Sequence, residues 1–344
     1  MCLLLAGCGA AHPSALTYVG QQQVPFGERF DDTVIGGLSA ISYDAHSQQY
    51  YVISDDKGEH GPVRFYTVAL TLSGAGIGAL RFTGMRPLRD VSGQPFASNA
   101  QPDAEGIAVD PGRGQLYWSS EGGRPHGGAP VVPQPWIRIA GLDGGYRGAF
   151  ELPPGFFLAA QSGSGQRPNK GLEGLTLTPD GRRLFAGLEE PLYGDPDRLS
   201  RITEFDVETR KPLAQYAYRL DSAPDGRKNG LSDLVAVSAR EFLVIERAGG
   251  PRPRIRIYRA EIGSATDTLA APDLTRAVPM SKRLISDMTA SGGPRPLDNV
   301  EGVTLGPPMP NGRQSVVFVS DNNFSPRQVT QFLLFAWQRA ESGQ

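Results

Sequence analysis

Short apolar runs alternate along the chain with Gly-, Pro- and Asp-rich turns, and one arrangement of them recurs five times. A short apolar strand, a turn and a second apolar strand begin at Leu38-Ser39-Ala40-Ile41, Ala104-Glu105-Gly106-Ile107, Leu172-Glu173-Gly174-Leu175, Leu231-Ser232-Asp233-Leu234 and Val300-Glu301-Gly302-Val303. The second copy shows the local logic. Residues 106–109 form an apolar run, 110–114 (Asp-Pro-Gly-Arg-Gly) supply turn chemistry, and 115–119 form a second strand. Further strand-like stretches fill the intervals: 64–70 after the first copy, 135–139 and 146–152 after the second, 201–205 and 214–218 after the third, and 254–258 after the fourth. Several of these alternate apolar and polar residues, as antiparallel strands with one wetter face do.

The cassettes start at 39, 105, 173, 232 and 301, which are 66, 68, 59 and 69 residues apart. Four strands in each such period predict an all-β fold, a single β-propeller of about five four-stranded blades. The last repeat offers three strands, ending in 329–335, so a strand near 16–19 is expected to supply the fourth and close the ring. Closure removes the open sheet edges that invite aggregation. A sixth blade would have to hide, degenerate, in 263–297, and a two-sheet sandwich does not explain the period. The propeller domain is expected to span 17–341.

Each cassette ends on a carboxylate: Asp55, Glu121, Glu189, Glu246 and Asp321. In a two-strand hairpin the start of the first strand and the end of the second share one end. Glu105 is therefore expected beside Glu121, Glu173 beside Glu189, and Glu301 beside Asp321, with Asp55 and Glu246 completing one rim of up to eight acids. Asp103 and Asp233 lie close by in sequence. Like charges a few ångströms apart raise each other's pKa or recruit cations. The expected metal ligands are Glu105, Glu121, Glu173, Glu189, Glu301 and Asp321, with Ca²⁺ first and Mg²⁺ or Mn²⁺ behind it, because hard cations take oxygen ligands. Glu105, Glu173 and Glu301 are the expected catalytic carboxylates.

Basic residues follow the exit acids at Lys57, Arg124, Arg247 and Arg327, and Lys170 precedes Glu173. Lys57, Lys170, Arg247 and Arg327 are the expected substrate-binding side chains, suiting a small anionic substrate and a phosphate ester above all. Plainer readings stand beside these. A Glu-Gly step can let backbones pass closely while the carboxylate caps a loop, and the basic residues can be ordinary partners of the acids. The Gly122-Gly123 step precedes no helix, so it makes no phosphate cradle. No Gly-x-Ser-x-Gly elbow occurs, which leaves a serine-esterase mechanism without its nucleophile.

Net charge is −2 with Lys and Arg scattered, so no nucleic-acid footprint forms. Both cysteines fall in the first eight residues, leaving the body with neither a disulfide framework nor a Cys-type zinc site. Leu5-Ala6-Gly7-Cys8 resembles a bacterial lipobox. Residues 1–8 then read as a signal-peptide remnant, Cys8 as the lipidation site and 9–16 as a tether. No later stretch is long and apolar enough to span a membrane. A monomer in the cell envelope, lipid-anchored or periplasmic, is expected, touching membrane only through its anchor.

The same residues resemble the bacterial family named for esterase-like activity of phytase. Its hallmarks are Asp103-Ala104-Glu105-Gly106-Ile107, Asn169-Lys170-Gly171-Leu172-Glu173-Gly174-Leu175, Asn299-Val300-Glu301-Gly302-Val303, and Val319-Ser320-Asp321-Asn322-Asn323-Phe324 leading to 331–335. The resemblance runs over nearly all the chain after Leu16 and implies a propeller whose repeated Glu and Asp residues serve catalysis. Calcium-dependent propeller phytases have six blades, whereas five copies occur here and two begin with Ser39 and Ser232. The Glu-Gly strand starts are also similar to those of calcium-dependent lactonase propellers. Three functions follow: a metal-dependent hydrolase of phosphoric esters, a non-catalytic envelope propeller binding a ligand or partner, and a calcium-dependent lactonase or carboxylic esterase.

Overall fold

A computed structural model of the protein describes residues 16–97, 102–122, 134–158, 163–223, 226–250, 253–271 and 273–338. The lipobox with Cys8, and Arg124, lie outside the described residues. The chain opens with β1 (Leu16–Val24) and a small hairpin, β2 (Arg29–Phe30) with β3 (Thr33–Val34). Five four-stranded antiparallel sheets follow, one per cassette. Blade 1 is β4 (Leu38–Asp44), β5 (Gln49–Ser54), β6 (Arg64–Ser73) and β7 (Gly76–Pro87). Blade 2 is β8 (Ala104–Asp110), β9 (Gln115–Ser120), β10 (Trp136–Gly141) and β11 (Tyr146–Ala149). Blade 3 is β12 (Leu172–Leu177), β13 (Arg183–Leu188), β14 (Leu199–Asp206) and β15 (Pro212–Arg219). Blade 4 is β16 (Gly230–Ala236), β17 (Glu241–Ala248), β18 (Arg254–Glu261) and β19 (Ser281–Asp287). Blade 5 takes β20 (Asn299–Pro308), β21 (Gln314–Asp321) and β22 (Thr330–Trp337) from the end of the chain, and β1 from its beginning.

Strand β1 pairs with β22 from Leu16 opposite Trp337 to Val24 opposite Thr330, so the ring closes as the unfinished last repeat requires. The segment 263–297 holds β19, the outer strand of blade 4, and its described residues form no sixth blade. The sequence had not indicated β7 or β19. No helix among the described residues is long and apolar enough to cross a membrane.

The first strand of each cassette is the innermost, and these strands pack in a cycle: β4 on β8, β8 on β12, β12 on β16, β16 on β20, and β20 on β4. Glycine permits that approach. A Cβ on Gly174 would lie 2.9 Å from the Asp233 Cα and 2.5 Å from Leu234, and one on Gly302 would lie 2.8 Å from the Ala40 Cα. The Glu-Gly step is thus partly architectural, as its plainer reading holds. Between each pair of adjacent blades lies an apolar cluster, with Phe185 against Phe242 at 4.7 Å between blades 3 and 4 and Phe150 against Phe205 at 5.7 Å between blades 2 and 3. Each ring buried this way contributes about 1.5–3 kcal/mol. An isolated blade would expose both faces, so the sheets stand only as a ring.

Candidate functional site

Every inner strand carries an irregularity at the same place. Pairing slips between Leu38 and Ala40, Ala104 and Ile107, Leu172 and Leu175, Leu231 and Asp233, and Val300 and Gly302. The slip encloses Ser39, Ser232 and Glu301 in three copies, and Glu105 with Gly106 and Glu173 with Gly174 in the other two. A bulge inserts one unpaired residue and re-aims its side chain. Three glutamates are so presented at one end of the ring, while Ser39 Oγ donates to the carbonyls of Ala104 and Glu105 in the next blade.

The second strands deliver the exit residues to the same end. Leu38 faces Ser54, Ala104 faces Ser120, Leu172 faces Leu188 and Val300 faces Ser320, so the next residue in each copy is Asp55, Glu121, Glu189 or Asp321. In blade 4, Leu231 faces Glu246 and Gly230 faces Arg247. The fourth exit position therefore belongs to Arg247. Glu246 sits one step earlier, where the other copies carry Ser or Leu, and turns away from the rim. It accepts hydrogen bonds from Tyr218 Oη (2.9 Å), the Asp221 N–H (2.9 Å), Asn229 and Lys282.

Asp233 also leaves the rim. It occupies the glycine position of its cassette, and its carboxylate accepts from the Val303 and Leu234 N–H groups, each at 2.8 Å, stitching blade 4 to blade 5. Asp103 moves the other way. With Glu105 and Glu121 it forms a buried group whose carboxylate oxygens lie within 4.8 Å of one another. The rim thus gathers Asp55, Asp103, Glu105, Glu121, Glu173, Glu189, Glu301 and Asp321.

Burial dominates the electrostatics of these acids. It raises Glu105 well above the usual carboxylate range, with Glu173, Asp103, Glu121 and Asp55 adding repulsion. Glu173 and Asp55 are raised for the same reasons, by burial first and then by their acidic neighbours. Burial pushes Glu301 up to about 8 even though Arg247 pulls it down. Burial also pushes Asp321 up to about 6 against the restraint of the Asn323 N–H and Arg247.

Among the described residues, three basic side chains answer the eight acids. Arg247 is largely buried and spends its donors on Ser232 Oγ (2.9 Å), Asn299 Oδ1 (2.7 Å) and Glu301 Oε1 (2.9 Å). Lys170 Nζ holds Glu189 at 2.8 Å and Lys57 Nζ holds Asp103 at 2.6 Å. These two lysines are 36% and 47% exposed, so unlike Arg247 they remain open to solvent. Arg327 is exposed, and its side chain pairs with none of the described acids.

The Asp103–Glu105–Glu121 group suits a hard cation. Glu121 is fully buried; its Oε2 accepts from the Gly171 N–H at 3.0 Å, and its Oε1 has no hydrogen-bond partner. Burial first, and then the neighbouring Asp103 carboxylate, raise Glu121 strongly. An all-oxygen donor set fits Ca²⁺, Mg²⁺ or Mn²⁺ rather than a soft metal. The loop beside this group is rigidly anchored: fully buried Arg64 pairs with Asp56 at 2.7 Å, between Asp55 and Lys57. His60 stacks on Phe324 at 4.0 Å across the blade 1–blade 5 seam. A cavity of about 620 Å³, lined by Phe156, Leu192, Tyr193 and Leu269 among others, shares no residue with the rim.

Fold and site together define a five-bladed β-propeller with an acidic mouth. A family model described as phytase-like, esterase-like activity of phytase, matches residues 33–324. The chain belongs to that family. No curated protein matches the sequence significantly. Among solved structures it is similar to a periplasmic gluconolactonase of Pseudomonas aeruginosa, with 13% identity, 88% of this chain and 86% of that one covered, and a TM-score of 0.37. It is also similar to a putative glucose dehydrogenase from Thermus thermophilus, with 12% identity, coverage of 91% and 99%, and a TM-score of 0.41. The Dos1 propeller matches at 7% identity over 87% of this chain and 68% of that one, with a TM-score of 0.36.

Proposed function

We propose that the protein is an exported, divalent-cation-dependent hydrolase of phosphoric esters that works at the acidic mouth of the propeller. One observation carries the reading: three buried carboxylates converge at Asp103, Glu105 and Glu121 with an oxygen of Glu121 left without a partner. A cation held there would supply Lewis-acid polarisation of a phosphoryl oxygen. The rest falls to the chain's own side chains. Lys57 and Lys170, exposed at the edge, can turn from Asp103 and Glu189 to an anionic group. Glu173, a neighbour of Glu105 and Glu189, would take the proton of the attacking water in its ionised form, which burial and those acids disfavour and a cation held nearby would favour. Glu301, which holds a proton at neutral pH, can give it to the departing alkoxide as the P–O bond breaks. The Cys8 motif supports the exported, lipid-anchored location.

The test is hydrolysis of phosphate monoesters, phytate, lactones and carboxylic esters by cation-stripped and Ca²⁺-reloaded protein. Turnover of a phosphate ester, lost on stripping and restored on reloading, is expected. Lys57→Ala combined with Lys170→Ala should raise KM about 10-fold with kcat little changed, the mark of lost ground-state binding. Turnover confined to lactones or carboxylic esters would transfer the assignment to that chemistry. No turnover with cation bound would leave a ligand-binding propeller.

A further inference from the structure

The acids of the rim are not equivalent, because the positive charge among them is unevenly placed. On the side of blades 4 and 5, the exit position that should hold an acid holds Arg247. Its guanidinium is held by Glu301, Asn299 and Ser232. Next to it, Lys170 closes on both oxygens of Glu189 at 3.0 and 2.8 Å. On the side of blade 2, by contrast, no guanidinium enters among the described residues. Lys57 reaches Asp103 there from the exposed edge, and Glu121 keeps a buried oxygen bare. Among the described residues, only Asp103, Glu105 and Glu121 bring three acidic ligand atoms within 4.8 Å.

We infer that the mouth takes a single hard divalent cation, seated at Asp103, Glu105 and Glu121, and that Arg247 is the resident positive charge that keeps the opposite side of the ring free of metal. A guanidinium cannot leave its protons at any physiological pH, so this charge is permanent, and a cation beside it would be repelled at short range in a poorly screened site. The inference rests on the cation-dependent reading above but can fail separately from it.

The experiment is calorimetric titration of the stripped, full-length protein with Ca²⁺ and, in turn, Mn²⁺, with stoichiometry checked by elemental analysis. One ion per chain is expected for the natural sequence. Glu121→Gln should weaken binding by about 100-fold or more, as loss of a ligand does, while Glu301→Gln should weaken it by less than about 10-fold. Arg247→Gln should admit a second ion, and Arg247→Lys, which keeps the charge, should stay at one. Circular dichroism reports whether each variant is folded. If Arg247→Gln does not fold, the contrast between Glu121→Gln and Glu301→Gln still decides the location. Two or more ions in the natural protein, no ion of either kind, equal losses for Glu121→Gln and Glu301→Gln, or a folded Arg247→Gln that still takes one ion would each overturn the inference. One ion bound with every ester inert would sink the hydrolase reading and leave this one standing.

Discussion

At the scale of single residues, the cassette serves two purposes in adjacent positions. The first position presents Glu105, Glu173 and Glu301 to the mouth; the second lets the inner strands touch. Gly174→Ala should therefore cost about 1–3 kcal/mol, because the new methyl meets the Asp233 backbone and the neighbouring strand cannot retreat without opening the ring. Urea unfolding of the variant checks this, and a loss within error would show that the ring has slack. Glu246 shows where sequence reading stops at this scale. The acid was plain in the sequence, and so was Arg247 after it. Which of the two reaches the mouth depends on pairing register, and a shift of one residue sends a side chain to the opposite face. Asp233 went astray for the same reason: a carboxylate beside the rim positions in sequence is, in the fold, a bridge between two strands. Asp103 was legible as the residue two before Glu105, but nothing local marks it as a partner of Glu121.

At the scale of elements, the hairpins were readable because apolar runs and turn residues are local signals. The outer strands were harder. Strand β19 is exposed at Ser281, Arg283 and Leu284 and lacks a clean alternation, so its place comes from pairing with β18 rather than from its own pattern. The bulges are invisible in the sequence because they express a mismatch between two strands. Strand β1 makes the sharpest case. Its polar run Gln21-Gln22-Gln23 does not read as strand, yet it completes blade 5 against β22. Removing residues 1–24 should leave the edge of β22 open and uncover Phe335 and Trp337. The expected result is a broad, low-temperature calorimetric transition with rapid proteolysis near 330–337. A truncated chain that melts as sharply as the full one would show that the ring does not need this latch.

At the scale of the whole molecule, the mouth is a store of repelling charge that the ring holds together. Glu301 rises in the fold from 4.5 to about 8, and Asp321 from 3.8 to about 6. Over the interval between those values the folded chain keeps protons that the unfolded chain has released. Stability of the cation-free protein must then fall as pH rises through that interval. Cation-free protein should melt several degrees lower at about pH 8 than at about pH 5.5, and saturating Ca²⁺ should narrow the gap, since a bound ion stabilises only the folded state. A thermal scan at both pH values, with and without Ca²⁺, checks this. An equal or higher melting temperature at the upper pH would mean that the acids are ionised without penalty.

The sequence by itself determined the period, a count of about five blades, the closing role of the first strand, and that one end of the ring would be acidic. Those follow from local chemistry repeated five times: apolar strand, turn, apolar strand, carboxylate. Only the tertiary structure decided which further groups join or leave the expected carboxylate pairs. It put Arg247 where a fifth exit acid was expected, drew Asp103 in, and sent Glu246 and Asp233 elsewhere. The reason is physical: the repeat fixes where each strand lies, but strand register, bulges and contact between blades fix where each side chain points.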